Sequence, residues 1–104
     1  MKTTILTDTN ADAVAFLEKL TAGYNDFKDN NVIIDLSAQD GLTFESLLPY
    51  LPLSDKHRKG KKSFVLVVKD FDIDENPDEL IVVPTVQEAH DIIEMEEIER
   101  DLGF

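Results

Sequence analysis

The 104-residue chain contains no cysteine, and it has only four glycines and four prolines. Without cysteine it cannot form a disulfide, a thiolate nucleophile or a zinc–sulfur site. The glycines are scattered, so there is no glycine-rich phosphate loop. No apolar run approaches the ~20 residues of a membrane span, and the first residues lack the apolar core of a signal peptide. We therefore expect a cytoplasmic protein without a cofactor and without membrane association.

Positive charge is nearly absent from the last third of the chain. Residues 1–69 carry nine basic and nine acidic side chains, whereas residues 70–104 carry thirteen acids and one base, Arg100. The net charge of -12 therefore arises entirely in the last third. A field of this sign repels nucleic-acid phosphates, so we expect no nucleic-acid partner. It fits a basic protein partner, a metal ion or a solvated acidic surface.

Apolar segments predict the strands of a sheet. Three of these segments, 32–36, 64–68 and 80–83, consist almost entirely of β-branched and other apolar residues. Because apolar and polar residues do not alternate in them, they are typical of strands covered on both faces. With the shorter first segment, the predicted strands are 4–7, 32–36, 64–68 and 80–83.

Helical spacing of apolar residues predicts the intervening elements. A stripe from Ala13 to Phe27 predicts the first helix, and a short helix is expected from Thr43 to about Tyr50, limited by two prolines. Residues 53–62 are predicted to form a basic loop. A capping box at Thr85-Val86-Gln87-Glu88 begins a C-terminal helix over 85–102.

This order of elements predicts one α/β domain over residues 1–104, with about four mostly parallel strands packed by about three helices. The connection 70–79 is too short for a full crossover helix, so an antiparallel last strand is the alternative.

Three segments resemble a known domain family. The segment Val32-Ile33-Ile34-Asp35-Leu36-Ser37 resembles a hydrophobic strand followed by an Asp-Leu-Ser signature. Residues 64–68 resemble the next strand, and residues 82–93 resemble the closing strand and helix. On these segments the chain resembles a STAS domain, the fold of bacterial anti-sigma-factor antagonists and of the cytoplasmic tails of sulfate transporters. The acidic end, residues 94–104, resembles that of a small family carried by Bacteroidetes-type bacteria. The resemblance implies a non-catalytic, regulatory protein-interaction module.

The chain departs from the STAS pattern at the family's phosphorylation site. There, an Asp-Ser-Ser-Gly-like motif opens a helix and includes the serine that the partner kinase phosphorylates. In this sequence the motif falls on residues 43–46, and Phe44 occupies the position of that serine. Thr43 and Ser46 retain hydroxyl groups, and Glu45 adds a fixed negative charge. We therefore predict a degenerate module that contacts its partner through Thr43, Glu45 and Ser46 without the usual phosphorylation switch.

The C-terminal helix carries apolar residues on two nearly opposite sides. One set, Val86, Ala89, Ile92 and Ile93, matches a face that packs on a sheet. One straight helix on one sheet cannot bury both sets, so we expect a bend near Glu94 or a projecting second half. We predict that the other set contacts a second subunit or another protein, the alternative being that it packs on its own domain. This set comprises Met95, Ile98, Leu102 and Phe104.

The acidic segment 70–79 provides an alternative function. It begins Asp-x-Asp-x-Asp like a calcium loop, but Glu75 and Ile81 stand where an EF-hand needs glycine and a bidentate glutamate. A weak cation site in a metal-dependent regulator is therefore the alternative to the interaction module. His57 lies in a basic segment that is predicted to dock an acidic partner or the acidic tail of a second copy, the alternative being a solvated loop. Neither His57 nor His90 has a nucleophile at recognisable spacing, so we expect no enzyme.

Overall fold

The computed structural model describes residues 2–9, 12–39, 41–69 and 80–103. The predicted acidic segment 70–79 and Phe104 lie outside the described residues. None of the helices within these ranges is long and apolar enough to cross a membrane. In chain order the strands and helices are β1 (Thr3–Thr7), α1 (Ala13–Ala22), β2 (Asn31–Asp35), α2 (Phe44–Leu47), α3 (Leu51–Lys59), β3 (Phe64–Val67), β4 (Ile81–Val83) and α4 (Val86–Asp101).

The four strands form one parallel sheet in the order β1-β2-β3-β4. The predicted α/β fold, with four strands packed by about three helices, is confirmed, and α2 adds a single helical turn. The last strand pairs parallel to β3, with Leu66 opposite Val82, so the antiparallel alternative is wrong. The predicted strand segments are correct. Strands β2 and β3 are buried on both faces as expected, whereas in the edge strand β4 only Val82 is buried and its two neighbours are half-buried.

Alternate residues of the central strands enter two separate cores. Ile34 and Leu66 belong to the larger core, which includes apolar residues of α1, α2 and α3. Ile33 and Val65 point to the opposite face, where they pack with Ala89 and Ile93 of α4. The sheet therefore lies between α4 and the apolar faces of the other helices.

The first helix is shorter than its apolar stripe predicts. It begins after Asp12, whose carboxylate accepts a hydrogen bond of 3.1 Å from the Ala15 amide. It ends at Gly23, and a 3-10 turn over Tyr24–Asp26 follows. Phe27 is nevertheless buried, because the turn keeps the aromatic residues on the core side.

The predicted basic loop over 53–62 is wrong, because most of it is helix α3. Pro52 lies in the first turn of this helix, where the missing amide proton costs no hydrogen bond. The buried residues Tyr50, Leu53, Ser54 and His57 recur at i, i+3, i+4 and i+7, the spacing of one helical face. The basic side chains Lys56, Arg58 and Lys59 are exposed on this helix.

Candidate protein-interaction surface

Helix α4 exposes three large apolar side chains on one face. Met95, Ile98 and Leu102 are 58%, 53% and 67% exposed, and their i, i+3, i+7 spacing aligns them along two turns. We call these three residues the outer face of α4. Their exposure excludes the alternative in which they pack on their own domain. Contact with a partner stays a prediction.

The second half of α4 contacts the domain through polar side chains instead of apolar ones. Helix α4 runs without interruption through Glu94 to Asp101. Arg58 of α3 donates a hydrogen bond of 3.0 Å to Glu96 within an ion pair. Glu96 lies four positions before Arg100, the spacing of a supporting helical pair, but its carboxylate pairs with Arg58 of the neighbouring helix. The second half of the helix is thus held against the domain and does not project freely, while the bend near Glu94 stays a prediction.

Asn31, at the start of β2, is the centre of this polar contact. Its side chain is fully buried, and its amide nitrogen donates a hydrogen bond of 2.7 Å to Glu97. Its amide oxygen accepts from the Ser63 backbone at 2.8 Å and from Arg100 at 3.4 Å. Arg100 also donates to the Ser63 hydroxyl at 3.2 Å. These bonds fix the rotation of α4 about its axis, and that rotation turns the outer face away from the sheet.

The charged side chains that surround the outer face on α4 are acidic. Asp91 lies one turn before Met95 and in line with it, while Glu94 and Glu99 flank the apolar residues. All three carboxylates are exposed. Arg100, the one basic residue after position 69, is directed towards Asn31 and Ser63. The outer face is therefore apolar at its centre and negative at its margins.

The second predicted partner-binding set lies elsewhere. Thr43 is the N-cap of α2 and forms a capping box with Ser46, in which each side-chain oxygen accepts from the other residue's amide at 3.3 Å. The two hydroxyl oxygens are 3.1 Å apart, and Glu45 is exposed beside them. Because α2 packs in the larger core and α4 on the opposite side of the sheet, the structure does not bring the two sets together.

His57 is a buried core residue and is not available for docking. Its Nε2 donates to the Asn30 carbonyl at 2.7 Å, because a carbonyl oxygen can only accept. Nδ1 therefore accepts from the Tyr24 hydroxyl at 2.9 Å. The ring also contacts Phe27 and Phe64. Burial lowers the pKa of His57 below its usual value, against an opposing effect of the bond to Asn30. The i+7 spacing from Tyr50 was the sequence signal for this burial.

A groove of about 470 Å³ opens between the end of α3 and the end of α4. Its lining mixes both charges, and the Lys62 ammonium already donates to the Gly60 carbonyl at 3.0 Å. This mixture does not select one class of ligand. The lining residues are Gly60, Lys61, Lys62, Glu97, Arg100 and Asp101.

No cluster that fits a metal ion was found among the described ranges, and His90 is exposed on α4. The predicted cation segment 70–79 lies outside those ranges.

No family model matches the chain, and no curated protein matches it. The candidate site therefore depends on geometry alone, and the outer face of α4 is its best-defined surface.

Proposed function

We propose that this protein is a non-catalytic protein-interaction module of STAS-like type that binds its partner through the outer face of α4. The observation that carries the proposal is the reversed polarity of the second half of this helix. Glu96, Glu97 and Arg100 face the domain, whereas Met95 and Ile98 face outward. The proposal includes a cytoplasmic location and no nucleic-acid partner, supported by the absence of cysteine and the acidic last third.

The magnitude of the apolar exposure supports a binding role. Fully burying one side chain of this size contributes roughly 1.5–3 kcal/mol. Because Met95, Ile98 and Leu102 are each more than half exposed, a partner that covered them would gain about 3–5 kcal/mol in total. The protein's own fold gains none of this energy, so these residues are better explained by binding than by stability.

The proposed module is not switched by phosphorylation. The capping box between Thr43 and Ser46 supports this, because both hydroxyl oxygens are already engaged at the start of α2. A phosphate on either oxygen would have to replace the present hydrogen bonds of the cap, although the helix N-terminus would tolerate its charge. We expect mass spectrometry of the protein from its native cells to show no stoichiometric phosphate at either residue, and stoichiometric modification would contradict this part of the proposal.

Affinity capture from native cells tests the proposed surface. The baits are the full-length wild type, the double variant Met95→Gln/Ile98→Gln and the control Val14→Gln, which changes an exposed apolar residue on α1. Glutamine is neutral and a good helix former, so all three should melt at similar temperatures. We expect a protein that is retained by the wild type and the control and lost from the double variant. Identical retention by all three baits would refute the proposed surface.

A further inference from the structure

We infer that the partner segment that covers the outer face of α4 is a basic amphipathic helix of another protein, not a second copy of this chain. This inference rests on the proposed function and adds the chemistry of the partner to it. Three observations support it: the charges around the outer face, the length of that face, and the lack of a matching basic and apolar helix surface among the described helices of this chain.

The margins of the outer face require positive charge in the partner. Asp91, Glu94 and Glu99 are exposed around it, and Arg100 is held on the inner side by Asn31. Two helices that pack together lie about 8–10 Å apart, close to the screening length of about 8 Å at physiological salt. A second copy of α4 would therefore bring like charges together, and physiological salt would weaken their repulsion without removing it. Lysine or arginine at the partner's flanking positions would pair with these carboxylates.

The length of the outer face fits a single helix. Met95 to Leu102 are seven positions apart, which corresponds to about 10 Å along a helix axis. A partner helix with apolar residues at i, i+3 or i+4, and i+7 presents a stripe of the same length. Three side chains make a much smaller surface than the roughly 800 Å² per partner of a standard interface between folded domains. A short segment therefore matches the site better than a large domain face does.

The basic helix of a second copy does not provide such a stripe. Helix α3 exposes Lys56, Arg58 and Lys59, but its apolar face is buried in its own core through Leu53 and His57. It could offer charge without apolar contact. Arg58 is moreover paired with Glu96 of the same chain. Among the described side chains of the helices other than α4, only α1 exposes a large apolar residue, the single Val14, so none combines an apolar stripe with flanking cations. We therefore assign the partner helix to another protein.

Designed peptides of about 18 residues test the inference, since this length allows a helix to form. Three peptides are compared by fluorescence anisotropy on the full chain: a leucine stripe flanked by lysine and arginine, the same stripe flanked by glutamate, and the basic peptide with serine in place of leucine. We expect the basic leucine peptide to bind with an affinity roughly tenfold or more above that of the other two peptides. Its affinity should fall as the salt concentration rises. Met95→Gln/Ile98→Gln should weaken it by about tenfold, and Val14→Gln should leave it unchanged.

The outcomes separate this inference from the proposed function. Equal binding of the acidic stripe peptide would overturn the basic partner and leave the surface in place. If the wild type self-associates in sedimentation and Met95→Gln/Ile98→Gln does not, the outer face binds a second copy of the chain. That result would also overturn the inference of a basic helix from another protein. If no peptide binds while cellular capture still depends on these two residues, the helical basic partner is wrong. If no peptide binds and capture is insensitive to them, the proposed function fails as well.

Discussion

Replacing His57 should destabilise the domain far more than a change at any nearby basic residue. In His57→Ala the Asn30 carbonyl loses its donor, which costs about 1–3 kcal/mol. The space left between Tyr24, Phe27 and Phe64 costs about 2 kcal/mol more, at the lower end for large-to-small core substitutions. The sum is about 3–5 kcal/mol.

Urea or thermal unfolding measures this loss directly. For a domain of this size, 1 kcal/mol corresponds to about 4–8 °C in melting temperature, so His57→Ala should melt at least about 12 °C lower. The matched control is Lys59→Ala, an exposed neighbour on α3 that should change stability by less than about 0.5 kcal/mol. If His57→Ala also lowers the free energy of unfolding by less than about 0.5 kcal/mol, residue 57 lies in a solvated segment and our description of α3 is wrong.

The pH dependence of stability provides a second readout of the same residue. Because burial lowers the pKa of His57 in the folded state, the unfolded chain binds more protons between that value and the ordinary histidine pKa of about 6.5. The contribution of neutral His57 to the free energy of unfolding is therefore fully present above about pH 7.5. It is lost as the pH falls towards the pKa of His57 in the folded state. The free energy of unfolding of the wild type should fall more steeply than that of His57→Gln, which does not titrate, between about pH 7.5 and 5.5. Parallel curves would contradict the buried neutral imidazole.

Three further substitutions test other parts of the fold by denaturant unfolding. Asn31→Ala should cost about 2–3 kcal/mol, because the buried Ser63 amide loses its acceptor; a loss below about 1 kcal/mol would refute the polar contact of α4. Thr43→Ala should cost about 1 kcal/mol through the lost cap with Ser46, and an unchanged midpoint would mean that the cap is unimportant. Tyr50→Phe should cost about 1 kcal/mol by removing the 2.7 Å bond to the first residue of α1, and a neutral effect would contradict that bond.

The sequence predicted the sheet because its signal is local. Strands β2 and β3 are buried on both faces, so their unbroken apolar segments can be recognised without knowledge of their neighbours. The cap at Thr85, whose hydroxyl accepts from the Glu88 amide at 3.2 Å, is equally local. The outward direction of Ile98 also follows from helical geometry, since it lies opposite the apolar residues that pack on the sheet.

The missed features depend on contacts between distant parts of the chain or on a misleading composition. The sequence of α3 suggests a loop because the preceding Pro49, the internal Pro52 and the lysines outweigh the spacing of Tyr50 and His57. The polar contact beneath α4 joins Asn31 to Arg100, 69 positions apart, and nothing in the local sequence of either residue predicts it. The inner polar contacts also change the meaning of a truncation: deleting the end of α4 would remove Glu97 along with the outer face, so point substitutions are the cleaner test.

A photocrosslinking amino acid at position 98, introduced into the full chain in its native cells, tests the central claim most directly. The same group at position 14 on α1 is the control, because both native residues are exposed and apolar. Our account predicts a discrete covalent adduct with a second, different protein from position 98 and no such adduct from position 14. No adduct from position 98, or the same adducts from both positions, would contradict the claim that the outer face of α4 is where this protein binds its partner.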